Sequence, residues 1–222
     1  MRFDRSQDGR PQDGRGRDSY HHGNLREALV ETALRLIAER GPAGFAFVEL
    51  ARAAGVSPAA PYRHFADRNA LLAEVARRGY ERFTVELDLA WNGGRPDPVT
   101  ALEAVGRAYL AFARREPASY AVMFESEVSV EQDPALRQAS ERAFGVLRQA
   151  ADVVCAAMPE NRPPALMVAL HIWSLAHGIA SLFVGRGEQA KRRLPMTPED
   201  LLEAGVLIYL QSLGVGGGRT KV

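Results

Sequence analysis

Tyr62, His64 and Arg68 offer a hydroxyl, an imidazole and a guanidinium within seven residues, and each can donate a hydrogen bond to a phosphate oxygen. Groups arranged for covalent chemistry are harder to find. Cys155 is the single cysteine, so it cannot form an intramolecular bridge, and it sits in an apolar run with no histidine close in sequence. Glu125 and Glu127 lie two residues apart, which splays them on a helix. His171 and His177 are six apart, about 120° around a helix, and do not form a two-histidine metal face. No glycine-rich phosphate loop follows a strand and there is no nucleophile elbow. The expectation is a binding protein and not an enzyme, with no cofactor and no metal.

The charge is nearly balanced, with 28 basic against 27 acidic residues in 222, but it is unevenly placed. Residues 1–19 carry five Arg against four Asp and residues 20–82 nine Arg against seven acids, so the first part is basic and the remainder slightly acidic. Phosphate contacts need local positive charge, so a polyanion partner belongs with the N-terminal part. Hydrophobic residues at 46% and charged residues at 25% are ordinary for a globular chain. The start has no apolar stretch of the kind a secretory signal needs, which makes a cytoplasmic location the expectation.

Residues 1–19, rich in Gly, Asp and Arg, read as a disordered arm. From Leu25 the apolar positions Leu25, Leu29, Thr32, Ala33, Leu36 and Ile37 form one stripe of an amphipathic helix that Gly41-Pro42 ends. A second helix over about 47–54 precedes Gly55-Val56, and Ser57-Pro58 reads as the cap and first turn of a third helix reaching Phe65. Helices joined by such a tight turn are a helix-turn-helix pattern. Pro61 is out of place at the fourth position of that third helix, because it lacks the N–H for the first intrahelical bond.

Asp67 caps a fourth helix running towards Leu89, and Asn92-Gly93-Gly94 breaks it. Further helices are expected at about 99–115, 118–126, 134–158, 164–185 and 198–213, with Asp97, Asp133 and Thr197 each placed before a proline at the first helical position. The fold reading is all-α. A small N-terminal helical unit with the helix-turn-helix spans 20–67, a larger helical bundle spans 68–213, and 214–222 form a flexible tail.

The stretches YHHGNLREALVETALRLIAERG, VELARAAGVS and SPAAPYRHFADRNALL resemble a TetR/AcrR-type transcriptional regulator. Pro117, Tyr120, Met123, Phe124, Trp173 and His177-Gly178 resemble the Trp-His-Gly class of ligand-binding domain in that family. The resemblance implies a recognition helix that begins with Ser57 and Pro58 and presents Ala59 and Ala60 to base edges, where their methyl groups can only touch thymine methyls. Direct hydrogen bonds to bases then fall to Arg63 or the N-terminal arm. Tyr62, His64 and Arg68 match family positions that touch phosphates, and Tyr20, His21 and His22 resemble an arm preceding the first helix. Ala46 and Val48 depart from the family pattern, which has a hydroxyl cap and often a basic residue there.

Residues 164–184 contain no Asp, Glu, Lys or Arg and are long enough to span a membrane, but His171, Ser174, His177, Ser181 and four alanines dilute them. Arg162 and Arg186 on either side give no charge asymmetry to orient a span. A helix apolar all round also suits a bundle or a dimer interface. The resemblance implies a homodimer built from this helix and the last one, bound to a double-stranded operator. It implies no membrane partner. Tyr109, Phe112, Tyr120, Met123, Phe124, Phe144, Trp173 and His177 are the candidate lining of a mostly apolar effector pocket. The implied function is a repressor released by a small molecule, with the fourth helix as transmitter. A membrane anchor at 164–184, or a ligand-binding module whose helix-turn-helix no longer binds DNA, are the alternatives.

Overall fold

The computed structural model describes residues 18–157, 163–184 and 195–214, and of residues 18–24 and 184 the backbone only. Every regular element among the described residues is helical. The elements are α1 (Asp18–Arg40), α2 (Phe47–Ala53), a 3-10 turn (Pro61–Arg63), α3 (Arg68–Trp91), α4 (Pro98–Arg115), α5 (Pro117–Glu125), α6 (Pro134–Ala156), α7 (Ala165–Ile179) and α8 (Pro198–Ser212). Of the arm expected over 1–19, residues 1–17 lie outside the described residues, as does the tail beyond Gly214, and residues 18 and 19 begin α1.

The helix boundaries follow local chemistry. Asp67 accepts from the Ala70 N–H at 2.8 Å, and Asp97 and Asp133 each accept two N–H groups from the first turns of α4 and α6. Thr197 and Asp200 exchange bonds reciprocally at the start of α8. Gly55 holds φ +71° after α2, its N–H bonding the Arg52 carbonyl while Val56 N–H bonds that of Ala51. This is the paired closure that a left-handed residue makes possible and that glycine adopts without strain. Ala46 has no side-chain oxygen to cap α2, so Glu49 alone reaches back, at 2.7 Å, to the Ala46 N–H.

Three expectations are corrected. First, α1 begins at Asp18, so Tyr20, His21 and His22 belong to its first turns and not to an arm ahead of it. An aspartate at the N-terminal end of a helix suits the macrodipole, and the apolar stripe from Leu25 shows only where burial starts. Second, no α-helix runs from Pro58 to Phe65. The Ala60 N–H bonds the Ser57 carbonyl at 3.0 Å, and the chain restarts with Pro61 at the first position of the 3-10 turn. His64 and Phe65 both donate to the Pro61 carbonyl at 3.0 Å. Proline is disruptive inside an α-helix and well placed at the start of a new turn, and that is the arrangement here. Third, α7 ends at Ile179, and residues Ala180–Val184 continue as a wider π turn.

α3, 24 residues long, packs on α4, α5 and α6, while α1 touches α2, α3 and α5. Gly79 lets α3 and α5 approach closely, since a side-chain carbon there would lie 2.7 Å from the Met123 sulfur. Where α1 meets α3, Glu74 is 8% exposed and accepts from Arg26 at 2.8 Å, Arg77 at 3.0 Å and Arg78 at 2.7 Å. Arg78 also grips Glu27 of α1, and Arg77 pairs with Glu81 at 2.6 Å. Burial alone pushes the Glu74 carboxyl up, but hydrogen bonds from Arg77, Arg26 and Arg78 override it and hold the group at about 2.

Because Glu74 has its folded pKa below the free value of 4.5, its stabilisation is complete above pH 4.5 and fades as pH falls towards about 2. Glu74→Gln is therefore expected to lower unfolding free energy at pH 7 by about 3 kcal/mol in urea titrations. The gap to the native chain should narrow as pH falls from about 4.5 to about 2. A gap that does not change with pH would contradict this role.

Candidate functional site

The exposed end of the N-terminal unit is built from α2, Gly55 and the 3-10 turn. Ser57, Pro58, Ala59, Tyr62 and Arg63 are exposed, and Ala60 and His64 are half-buried. The Tyr62 ring meets Phe47 edge to face at 4.9 Å, which fixes its direction while the residue stays 60% exposed. Pro61 and Phe65 are buried and anchor the turn from within. The Arg26 guanidinium lies 5.1 Å from the Phe65 ring centre as it bonds Glu74, so one side chain joins this turn to α3. Arg52 of α2 is exposed beside Val48 and Pro58 in a shallow hollow. Sequence reasoning passed over Arg52, although it lies next to the turn that the motif marks.

Arg68 is engaged within the chain. Its guanidinium donates to the Pro42 carbonyl and lies 5.1 Å over the Phe45 ring, closing the α1–α2 loop onto the start of α3. Arg68 thus serves as an internal bracket in this structure. The side chains of Tyr20, His21 and His22 lie outside the described residues.

In the bundle, a cavity of about 430 Å³ opens between α3, α4, α6 and α7. Tyr109, Phe124, Phe144 and Trp173 line it. Tyr80, Phe83 and Leu87 line it from α3, joined by Val105, Ser140, Glu141 and Leu170. The spacing of Tyr80, Phe83 and Leu87 marks one apolar face of α3, which was the available signal for them.

Phe112, Tyr120, Met123 and His177 are not among the residues that line this cavity. Phe112 is fully buried against Phe83, and Met123 packs on Gly79 and accepts the Tyr80 hydroxyl through its carbonyl at 3.0 Å. His177 stands behind the wall, where the Tyr109 and Tyr120 hydroxyls reach its Nδ1 at 3.1 and 2.9 Å. Burial lowers the His177 pKa, which favours the neutral ring that such an acceptor nitrogen requires. Burial likewise raises the Tyr109 and Tyr120 phenols, so both remain hydroxyls.

A family profile described as bacterial regulatory proteins of the tetR family matches residues 29–75, and one described as the tetracyclin repressor-like C-terminal domain matches residues 102–208. The chain belongs to the TetR family of transcriptional regulators. The match to the HTH-type transcriptional regulator AcrR of Shigella flexneri is 33% identical over 81 residues, 36% of this chain. It spans 37% of that relative's length. A solved structure from Rhodococcus sp. RHA1, described as a protein with unknown function, is 27% identical with a TM-score of 0.73, covering 88% of this chain and 98% of that one. AibR, solved in complex with isovaleryl coenzyme A and operator DNA, shares the fold at a TM-score of 0.63 with 21% identity, covering 83% of this chain and 97% of that one. The geometry and the TetR profiles agree on the division of labour, with an N-terminal helix-turn-helix and a C-terminal helical bundle.

Arg68→Met keeps the apolar stem and removes the bond to the Pro42 carbonyl. Thermal and urea unfolding should show a loss of about 1–3 kcal/mol, the range for a hydrogen bond from a charged donor. Undiminished stability would show that the bracket is idle.

Proposed function

We propose that this chain is a ligand-responsive DNA-binding regulator, a cytoplasmic homodimeric repressor without catalytic activity, released from a pseudo-palindromic operator when a small molecule fills the bundle cavity. In this reading the unit over 20–67 reads DNA and the unit over 68–213 binds the effector and the second copy. The observation that carries the proposal is the course of α3. It starts at the exposed turn, runs through the Glu74 junction and ends as a wall of the cavity through Tyr80, Phe83 and Leu87.

Ser57 to Ala60 set the turn against the major groove, Arg63 reads a base edge, and Tyr62 and His64 donate to phosphates. A second connection runs beside α3. Arg77 of the Glu74 cluster holds Glu81, which lies 3.8 Å from Arg142 on α6, next to the lining residues Glu141 and Ala143. Filling the cavity shifts α6 against α3, and the reciprocal coupling between ligand and DNA is on the order of 1–3 kcal/mol.

The second copy has a suitable surface. Leu166, Met167 and Leu170 of α7 and Ile208 of α8 are apolar and exposed in the single chain, Ile208 at 68%. These faces support a twofold pairing that would present two reading turns. Segment Ala165–Phe183 is long and apolar enough to cross a membrane by length and composition alone. Its other face is buried, with Val168, Ala169, Ile172 and Ala176 in the core and α7 packed on α6 and α8, and in this reading the second copy covers the exposed apolar face. The ligand in the AibR complex, a coenzyme A ester, carries phosphates that call for cationic partners. No Lys or Arg lines the cavity of this chain among the described residues, so that ligand is not carried over.

Fluorescence anisotropy on DNA from upstream of the chain's own coding region should show saturable binding that survives scrambled competitor at two salt concentrations. Tyr62→Phe should weaken binding about fivefold on every sequence, the worth of one hydrogen bond, whereas Arg63→Ala should relax preference at one base position by about 1–3 kcal/mol. Weak binding that is indifferent to sequence and lost with salt would contradict the assignment of the turn.

A further inference from the structure

The charge balance of the bundle cavity deepens the effector reading, on which it rests. Six aromatic rings line the space, from Tyr80, Phe83, Tyr109, Phe124, Phe144 and Trp173, and no Lys, Arg or His side chain joins them among the described residues. Its one carboxylate is Glu141, 70% exposed on α6. Aromatic faces carry negative potential and attract a cation within about 6 Å of the ring centre.

The donors in the lining are already engaged within the protein: the Ser140 hydroxyl is directed to Tyr80 and the Trp173 indole N–H to Tyr109. The Tyr80 hydroxyl donates to the Met123 carbonyl, and the Tyr109 hydroxyl is engaged with Tyr120 and His177 Nδ1. An anion placed there would lose its water without compensation. The cations nearest the Glu141 end are turned away or screened. Arg142 faces Glu81, and Arg137 lies 3.9 Å from Glu141 with about half its side chain in solvent. A volume of about 430 Å³ suits a molecule of drug size.

We propose that the cavity takes a lipophilic organic cation, a quaternary ammonium or similar centre on an aromatic or alkyl frame, with its charge among the rings and drawn in by Glu141. A phenylbutyl frame ending in trimethylammonium, in its uncharged tert-butyl isostere or in a carboxylate separates charge from shape. Calorimetry on the full chain without DNA should give about tenfold tighter binding for the ammonium than for the tert-butyl compound, and the weakest for the carboxylate. Glu141→Gln, an exposed change, should weaken ammonium binding about threefold and leave the tert-butyl compound unaffected. Ammonium binding should quench fluorescence from Trp173, with the quench lost in Trp173→Phe. Equal affinity for ammonium and isostere, preference for the carboxylate, or binding of none of the three overturns the proposal. DNA release is scored separately by anisotropy. An ammonium that binds tightly yet leaves DNA bound keeps the charge preference and removes the effector reading.

Discussion

Glu74 is almost out of water where two packing units meet, and it remains ionised there because Arg26, Arg77 and Arg78 surround it. A buried ion cluster of this kind adds little net stability over apolar packing, while loss of one partner leaves charge uncompensated. Its value lies in position. Arg26 and Glu27 come from α1, while Glu74, Arg77 and Arg78 come from α3, so the cluster sets one helix against the other in a single register. Arg26 extends that register to Phe65, the buried anchor of the reading turn.

The short reading turn depends on such support. Three i to i+3 closures and one i to i+4 closure, interrupted at Pro61, hold fewer internal bonds than a regular helix of the same length. Its stiffness comes from outside, from Phe65 beneath Arg26, from Tyr62 against Phe47 and from the Arg68 bracket on Pro42. Movement of α3 relative to α1 therefore reaches the turn through packed and charged contacts. The cavity bears on the same helix from its other half.

Local rules were readable along the chain, and long-range ones were not. Asp67, Asp97, Asp133 and Thr197 act as the caps that their spacing to the next helical stretch predicts, and Gly55 closes α2 as a turn glycine should. Pro61 drew attention as a misfit, yet the break it causes depends on how the missing N–H is compensated, which the sequence does not state. Apolar spacing predicts a face and not its depth, so Phe112 and Met123 could not be separated from Phe124 and Phe144. The Glu74 cluster joins residues 48 and 51 positions apart, and no local pattern marks such a meeting. The family resemblance supplied the sites' general positions, while the inward turn of Arg68 depends on this chain's own loop.

The central claim is that the Glu74 cluster positions the reading turn, and hydrogen exchange tests it without knowledge of the operator. Glu74→Gln and the native chain would be compared at pH 7. The account predicts faster exchange at Ala60, Arg63, His64 and Phe65, whose N–H groups close the turn, with the α4 and α6 core amides unchanged. Unaltered exchange at those four amides, or an equal rise throughout the chain, would contradict it.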